Sequence, residues 1–391
     1  MKIGFFTDTY FPQINGVTFT IHLWKKELEK LGHEVFIYYP EDDTYKPEKN
    51  EVPMPSLPFV FYKGYHISVP SFGRIEKGFD IVHVHAVALM ADLGLAVARK
   101  QKIPCVLTYH TPPDSYMYEI LPINNELIQE AIKVGYYKYE KELLKRVQLV
   151  TSPSEETITV LRERLGDKMA KSVYFSNGID TDYFRPTDGE KFRKDFNIPK
   201  GKVIGYTGRH STGKHLEDLI AYAGRFDGTV LIAGDGPLTG KYKELAAGKK
   251  NIRFLGFFPR DRLCQFYSLL DLFIMPSTVE TEGLVVLEAN ACGTPAVGAD
   301  AAALKSTIKE GFNGYHYKPG DVDDLARVIE KAYKDRAKLA KGAKEFVKDR
   351  SAANTAKRLV QIYGETIGEY KRLKGKSRPS GLSIRRFIPV K

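Results

Sequence analysis

Short runs of β-branched and aromatic residues recur along the chain, separated by stretches whose apolar positions repeat with helical spacing. The first series reads KIGFF (2–6), EVFIYY (34–39), DIVHVHA (80–86), CVLTYH (105–110), LVTSPS (149–154) and SVYFSNG (172–178). A second reads KVIGYTG (202–208), TVLIAGDG (229–236), NIRFLG (251–256), LFIMPS (272–277), PAVGA (295–299) and GYHYKP (314–319). Helical periodicity is clear over 20–32 and 124–147. Two sets of six strands, each alternating with helices, predict an α/β protein with two doubly wound parallel sheets facing a central cleft. The turn-rich segment NGIDTDYFRPTDGE (177–190) marks the boundary. The spacing thus places one domain at 1–184 and a second at 185–354. A long amphipathic helix over 355–373 is expected to return to the first domain, followed by a tail over 374–391.

Composition narrows the class. At 391 residues the chain exceeds one ordinary core. Its 43% hydrophobic and 12% aromatic content excludes disorder as the main state. The most apolar stretch, 81–98, contains two histidines and an aspartate, so it reads as a strand and buried helix rather than a membrane span. MKIGFFTDTY enters a strand pattern directly, without the apolar core of a signal peptide. Cys105, Cys264 and Cys292 lie far apart in or beside apolar runs, which fits core thiols of a reduced, cytoplasmic protein. No Cys/His cluster has zinc-ligand spacing, and no metal site is expected. The net charge of +11 is uneven: residues 371–391 carry eight basic groups and no acidic one, leaving +3 on the other 370. Such a tail suits either an anionic surface or a solvated end.

Ligands of doubly wound sheets bind beyond the carboxyl ends of the strands. In PSTVETEGLVVLEANACGTPAV (276–297) a strand ends and Gly283 opens a helix, so the amides of Gly283, Leu284 and Val285 form an anion site. Glu280 precedes that helix and Glu288 lies within it. Taken alone they fit two solvated glutamates as well as a pair accepting hydroxyl hydrogen bonds. In GYTGRHSTGKHLEDLI (205–220) the loop after a strand presents Arg209 and Lys214. In TDTYFPQINGVTFTIH (7–22) Asn15-Gly16 permits a tight turn and close approach to a ligand; Asp8 and Tyr10 are candidate acceptor-side residues, with loop-capping the alternative for Asp8. VLTYHT (106–111) ends a strand on His110; His83 and His85 read as structural.

These elements, in this order, resemble glycosyltransferase family 4, whose fold is called GT-B, over nearly the whole chain from Lys2 to about Leu373. The resemblance implies a retaining transferase. Glu280 and Glu288 match the E-x7-E element, which meets the donor's sugar and ribose respectively. Arg209 and Lys214 match the G-R-x4-K-G element that faces the diphosphate. Gly16 falls in the family's glycine-rich loop, and His110 stands beside the donor sugar. Departures are Glu282, where Phe or Gln is common and where sugar preference is expected to respond, Asn290 for a common Met, and His215 for the final glycine. AGDGP (233–237) and SNGID (176–180) also match, at the cleft and the hinge.

TDTYFPQINGV, TYHT with Tyr116 and Tyr118, and T-E-x-G-L-V most resemble lipid glucosyl- and mannosyltransferases. They imply a UDP-sugar, or alternatively a GDP-sugar, as donor substrate, no separate cofactor, and a lipid acceptor at an anionic membrane surface. The segment 53–71 stands where such acceptors enter. A transferase to a soluble sugar and a nucleotide-sugar epimerase remain alternatives. A basic nucleic-acid binder leaves the paired glutamates unexplained, and no strand is followed by the G-x-G-x-x-G of nicotinamide enzymes.

Overall fold

A computed structural model describes residues 1–59, 65–69, 71–85, 87–110, 125–166 and 170–376. Tyr116, Tyr118, residues 60–64 and 70 of the 53–71 segment, and residues 377–391 with four of the eight basic groups lie outside them.

The first half contributes β1 (Lys2–Phe6), α1 (Gly16–Lys30), β2 (Glu34–Pro40), β3 (Glu51–Met54), β4 (Ser56–Pro58) and β5 (His66–Ser68). It continues with β6 (Ile81–Val84), α2 (Leu89–Gln101), β7 (Cys105–Thr108), α3 (Glu126–Leu144), β8 (Leu149–Ser152), α4 (Glu155–Leu165) and β9 (Lys171–Tyr174). The second half opens with α5 (Gly189–Asp195), β10 (Val203–Thr207), α6 (Leu216–Ala223), β11 (Thr229–Ala233), α7 (Thr239–Leu245), β12 (Ile252–Gly256) and α8 (Leu263–Leu269). Then come β13 (Leu272–Met275), α9 (Leu284–Ala291), β14 (Ala296–Ala299), α10 (Leu304–Thr307), β15 (Gly314–Tyr317), α11 (Val322–Lys334), α12 (Arg336–Lys348) and α13 (Ala352–Lys376).

Two all-parallel sheets result, in the orders β3-β2-β1-β6-β7-β8-β9 and β12-β11-β10-β13-β14-β15. Central strands such as β6, β10 and β13 are buried along their whole length, because helices cover both faces. The first sheet has one strand more than the six its sequence predicts. That strand, EVPM, pairs only with β2 and contains Pro53, which lacks an amide hydrogen and suits an edge. β4 and β5 form a separate antiparallel pair within the segment 53–71.

The last helix leaves the second half and packs on the first. Ala356, Leu359 and Tyr363 are fully buried in one cluster with Ile3, Phe5, Trp24 and Ile81. The chain crosses between the halves twice at one place: Ile179 N donates to Arg350 O, and Ala352 N to Ile179 O, both at 2.8 Å. Trp24, on α1, ties this crossing to the first sheet by donating from Nε1 to the Asn177 carbonyl at 2.7 Å. No helix among the described residues is long and apolar enough to cross a membrane. The three cysteines are buried and unbridged.

Candidate functional site

Strand order reverses direction between β10 and β13 in one sheet and between β1 and β6 in the other. Crevices form at such switch points, beyond the strand ends. The loop after β10 holds Arg209, exposed, and Lys214, largely buried. It lies against the loop after β13, since Thr278 N donates to Gly213 O at 2.9 Å. Across this contact Lys214 Nζ and Glu280 Oε1 stand 2.5 Å apart, with side-chain exposures of only 19% and 12%. A cation and a carboxylate from two distant motifs therefore share one half-buried point. His215, the residue before α6, adopts φ 48°, ψ 39°. That left-handed geometry explains why glycine serves there elsewhere, and the loop is built without it. AGDGP has a steric role: Gly234 has φ +114°, and a Cβ there would collide with the Gly208 carbonyl, lifting the Arg209 loop off β11.

The helix after β13 begins as its sequence predicts. Gly283, at φ 78°, precedes α9, and the first intrahelical bond runs from Val286 N to Gly283 O at 2.8 Å. The amides of Gly283, Leu284 and Val285 therefore precede the helical ladder. Glu288 is half-buried; its Oε2 accepts from the Tyr267 hydroxyl at 2.6 Å, and burial pushes its carboxyl up to about 7. Asn290 is buried on α9 and accepts from Asn313 Nδ2 at 2.7 Å, a packing role.

Glu282 overturns the expectation of a sugar-selecting position. It is 2% exposed and turned toward the hinge, where it accepts from Ser176 Oγ and from Asn177 N at 3.2 Å. Its own carbonyl accepts from Thr307 Oγ1. Burial raises its carboxyl to about 7, against the opposing hydrogen bonds and the Arg350 charge.

In the first sheet, Asn15 and Gly16 do not form a tight turn. Asn15 caps α1, its Oδ1 accepting from Thr18 N at 2.9 Å, and Gly16 is the first helical residue. Gly16 nonetheless faces the second half: a Cβ on it would stand 3.0 Å from Leu284 Cδ1, so the two candidate phosphate loops meet there. Asp8 caps the start of α2, accepting from Met90 N at 3.1 Å, and burial raises its carboxyl to about 6. Tyr10 is 2% exposed and donates to Glu51 at 2.7 Å, so it belongs to the core rather than to an acceptor wall. His22, Glu48 and Glu51 bring possible ligand atoms within 4.8 Å of one another. Both Glu51 oxygens are already taken by the Tyr10 and Tyr45 hydroxyls.

His110 sits two residues beyond β7, 7% exposed, and burial pushes its imidazole down to about 3, so it is neutral at physiological pH. Its Nε2 is 3.1 Å from Nδ1 of His85, which lies one residue beyond β6. The sequence places His85, like His83, among structural residues. His83 is indeed core, bonded to Tyr363 and Thr108 hydroxyls at 2.5 and 2.7 Å.

Residues 14–183 match the family described as Glycosyltransferase Family 4, and residues 188–350 the family described as Glycosyl transferases group 1. The alpha-monoglucosyldiacylglycerol synthase of Streptococcus pneumoniae is 31% identical over 392 residues, spanning 94% of this chain and 86% of that protein. The GDP-mannose-dependent alpha-mannosyltransferase of Corynebacterium glutamicum is 24% identical, spanning 95% of this chain and 91% of that one. Among solved structures, Anabaena HepE in complex with UDP aligns at a TM-score of 0.73 and 19% identity, covering 93% of this chain and 100% of that one, a likeness of fold.

Proposed function

Because this chain belongs to glycosyltransferase family 4, we propose that it moves a hexose, glucose favoured, from a nucleotide-diphosphate sugar to a membrane lipid with retention at the anomeric carbon. The chain is a glycosyltransferase of the GT-B fold; donor and acceptor are the proposed part. The observation that carries the reading is the meeting of Lys214 with Glu280 beside the start of α9. This is one cation for a leaving diphosphate and one carboxylate for sugar hydroxyls, at a strand-order switch.

In the proposed course the acceptor hydroxyl approaches the sugar on the face the diphosphate leaves. The bond from anomeric carbon to diphosphate oxygen breaks as the bond to acceptor oxygen forms, and a diphosphate oxygen takes the acceptor proton. Negative charge grows on the diphosphate. Lys214, Arg209 and the amides of Gly283, Leu284 and Val285 stabilise it through preorganised positive ends. Glu280 accepts sugar hydroxyls, His110 orients the sugar, Glu288 takes the ribose, and Gly16 leaves room for the donor. No separate cofactor or metal ion enters this scheme.

Apolar exposure in the first half supports a lipid acceptor. Leu127, Ile128, Ala131 and Val134 line one face of α3, with Leu127 83% exposed, and Lys138 and Lys141 continue that side of the helix. Leu57 and Ile67 are exposed on the β4–β5 pair. A UDP-sugar is the favoured donor; GDP-mannose is the second reading, favoured by the mannosyltransferase relative. Nucleotide release from UDP-glucose and from GDP-mannose, with and without anionic vesicles containing diacylglycerol, tests the proposal. Release from one donor that depends on the vesicles is expected. Release that ignores them would move the acceptor to a soluble sugar or to water.

A further inference from the structure

We propose that His85 is a positioning residue of the sugar site: it fixes the tautomer of His110 and so the ring nitrogen that His110 turns to the sugar. The inference rests on reading His110 as a sugar contact. His85 is 4% exposed and follows β6, its backbone N donating to Phe6 O at 2.8 Å, so its ring lies at the cleft edge of the sheet beside that of His110. The two rings have centroids 5.4 Å apart, and Trp24 packs on both, with centroids 5.5 and 6.4 Å away. Phe5 closes the other side of His85 at 4.8 Å. Both rings are thus held by packing.

The nitrogens are unequal. Nδ1 of His85 meets Nε2 of His110 at 3.1 Å. Nε2 of His85 is buried and has no hydrogen-bond partner among the described residues. Burial lowers the basicity of both imidazoles, so a single proton lies between them. If Nε2 of His85 carried its ring proton, a buried N–H would be left without an acceptor, which costs more than a bare lone pair. The geometry therefore places the proton on Nδ1 of His85, donating to Nε2 of His110. His110 must then hold its own proton on Nδ1. The pair then presents one fixed function to the sugar, the Nδ1 N–H of His110, held in place by His85. Two neutral rings locked in one sense cannot swap roles when a sugar arrives.

Asn and Gln tell the two nitrogens of His85 apart, since the Asn amide falls near Nδ1 of histidine and the Gln amide near Nε2. The parent protein is compared with His85→Asn, His85→Gln, His85→Phe, His110→Phe and the His85→Phe/His110→Phe double variant. The donor is whichever of UDP-glucose or GDP-mannose the parent turns over, and affinity for the bare nucleotide is measured alongside. His85→Phe is expected to lower kcat roughly tenfold to a hundredfold with nucleotide affinity unchanged. His85→Asn should recover part of that loss and His85→Gln less. In the His110→Phe background His85→Phe should cost less than about twofold, because interacting residues are not additive. Full additivity, or turnover in His85→Asn and His85→Phe equal to the parent, would overturn the proposal. A His110→Phe variant with parental turnover would instead refute the sugar role of His110. Independently of turnover, nitrogen-15 spectra of the histidine rings in the ligand-free protein should show both His85 and His110 protonated on Nδ1. An Nε2-protonated His85 would contradict the assignment even if the variants fail to fold.

Discussion

Lys214 and Glu280 are 66 positions apart in the chain and 2.5 Å apart in space. Each satisfies the other, so neither is a buried charge without a partner. A diphosphate would take over Lys214 and release Glu280 for hydroxyls. Lys214→Ala and Arg209→Ala are each expected to lower kcat by about two orders of magnitude, or about 3 kcal/mol, the usual effect of removing one preorganised group facing a developing charge. Steady-state kinetics checks this, and near-parental turnover in both would refute the leaving-group role. The placement of those residues was legible in the sequence because each stands in a loop directly after a strand. Glu282, Tyr10 and His85 were not. Glu282 reads as a position that bears on sugar preference, yet its partner Ser176 is 106 positions away, across the hinge. Tyr10 lies in a loop sequence, but its acceptor Glu51 is on the edge strand that the sequence did not reveal. Pairings at such distance leave no local pattern.

At the scale of elements, the strand series was readable because buried parallel strands are continuous apolar runs, whereas β3 (Glu51–Met54) alternates nothing and includes a proline. The start of α9 was readable from glycine, but Gly16 was assigned to a turn because Asn-Gly is also a turn signal; Asn15 instead caps a helix. The contact between the start of α9 and the hinge carries a pH dependence. Glu282 has its carboxyl raised from 4.5 to about 7 and is 2% exposed. Folding therefore takes up a proton on this group between those values, and its contribution to stability is full below about 4.5 and lost as pH rises through about 7. Glu282→Gln does not titrate. Relative to that variant the parent should lose up to about 3 kcal/mol between pH 4.5 and 8, read from urea unfolding at a series of pH values. A gap that stays constant with pH would show that the carboxyl is not shifted. On α3, Leu127→Asp with Val134→Asp should weaken sedimentation with anionic liposomes by roughly tenfold or more. Unchanged sedimentation would remove that face from the membrane reading.

At the scale of the molecule, two sheets are joined by chain crossings at Ile179 and Ser351 and closed by a helix that belongs to one half by sequence and to the other by packing. Its amphipathic repeat announces a packed helix; only the cluster around Tyr363 shows which sheet it covers. Tyr363→Ala should destabilise the first half by about 3–5 kcal/mol, the range for large buried aromatics, and calorimetry should then show two transitions where one is expected of the parent. One unchanged transition would mean that the helix does not tie the halves together. Removing residues 377–391 should leave that transition in place while weakening attachment to anionic vesicles, since each basic group near such a surface contributes about 1 kcal/mol. The central claim of the proposal is one donor and one lipid acceptor. Mass spectrometry of the lipids recovered after incubation with diacylglycerol-containing anionic liposomes, with UDP-glucose and GDP-mannose supplied separately, decides it. A hexosyl-diacylglycerol formed from one donor, and absent with Lys214→Ala, is the expected result; intact lipid with both donors, while nucleotide is released from neither, would contradict it.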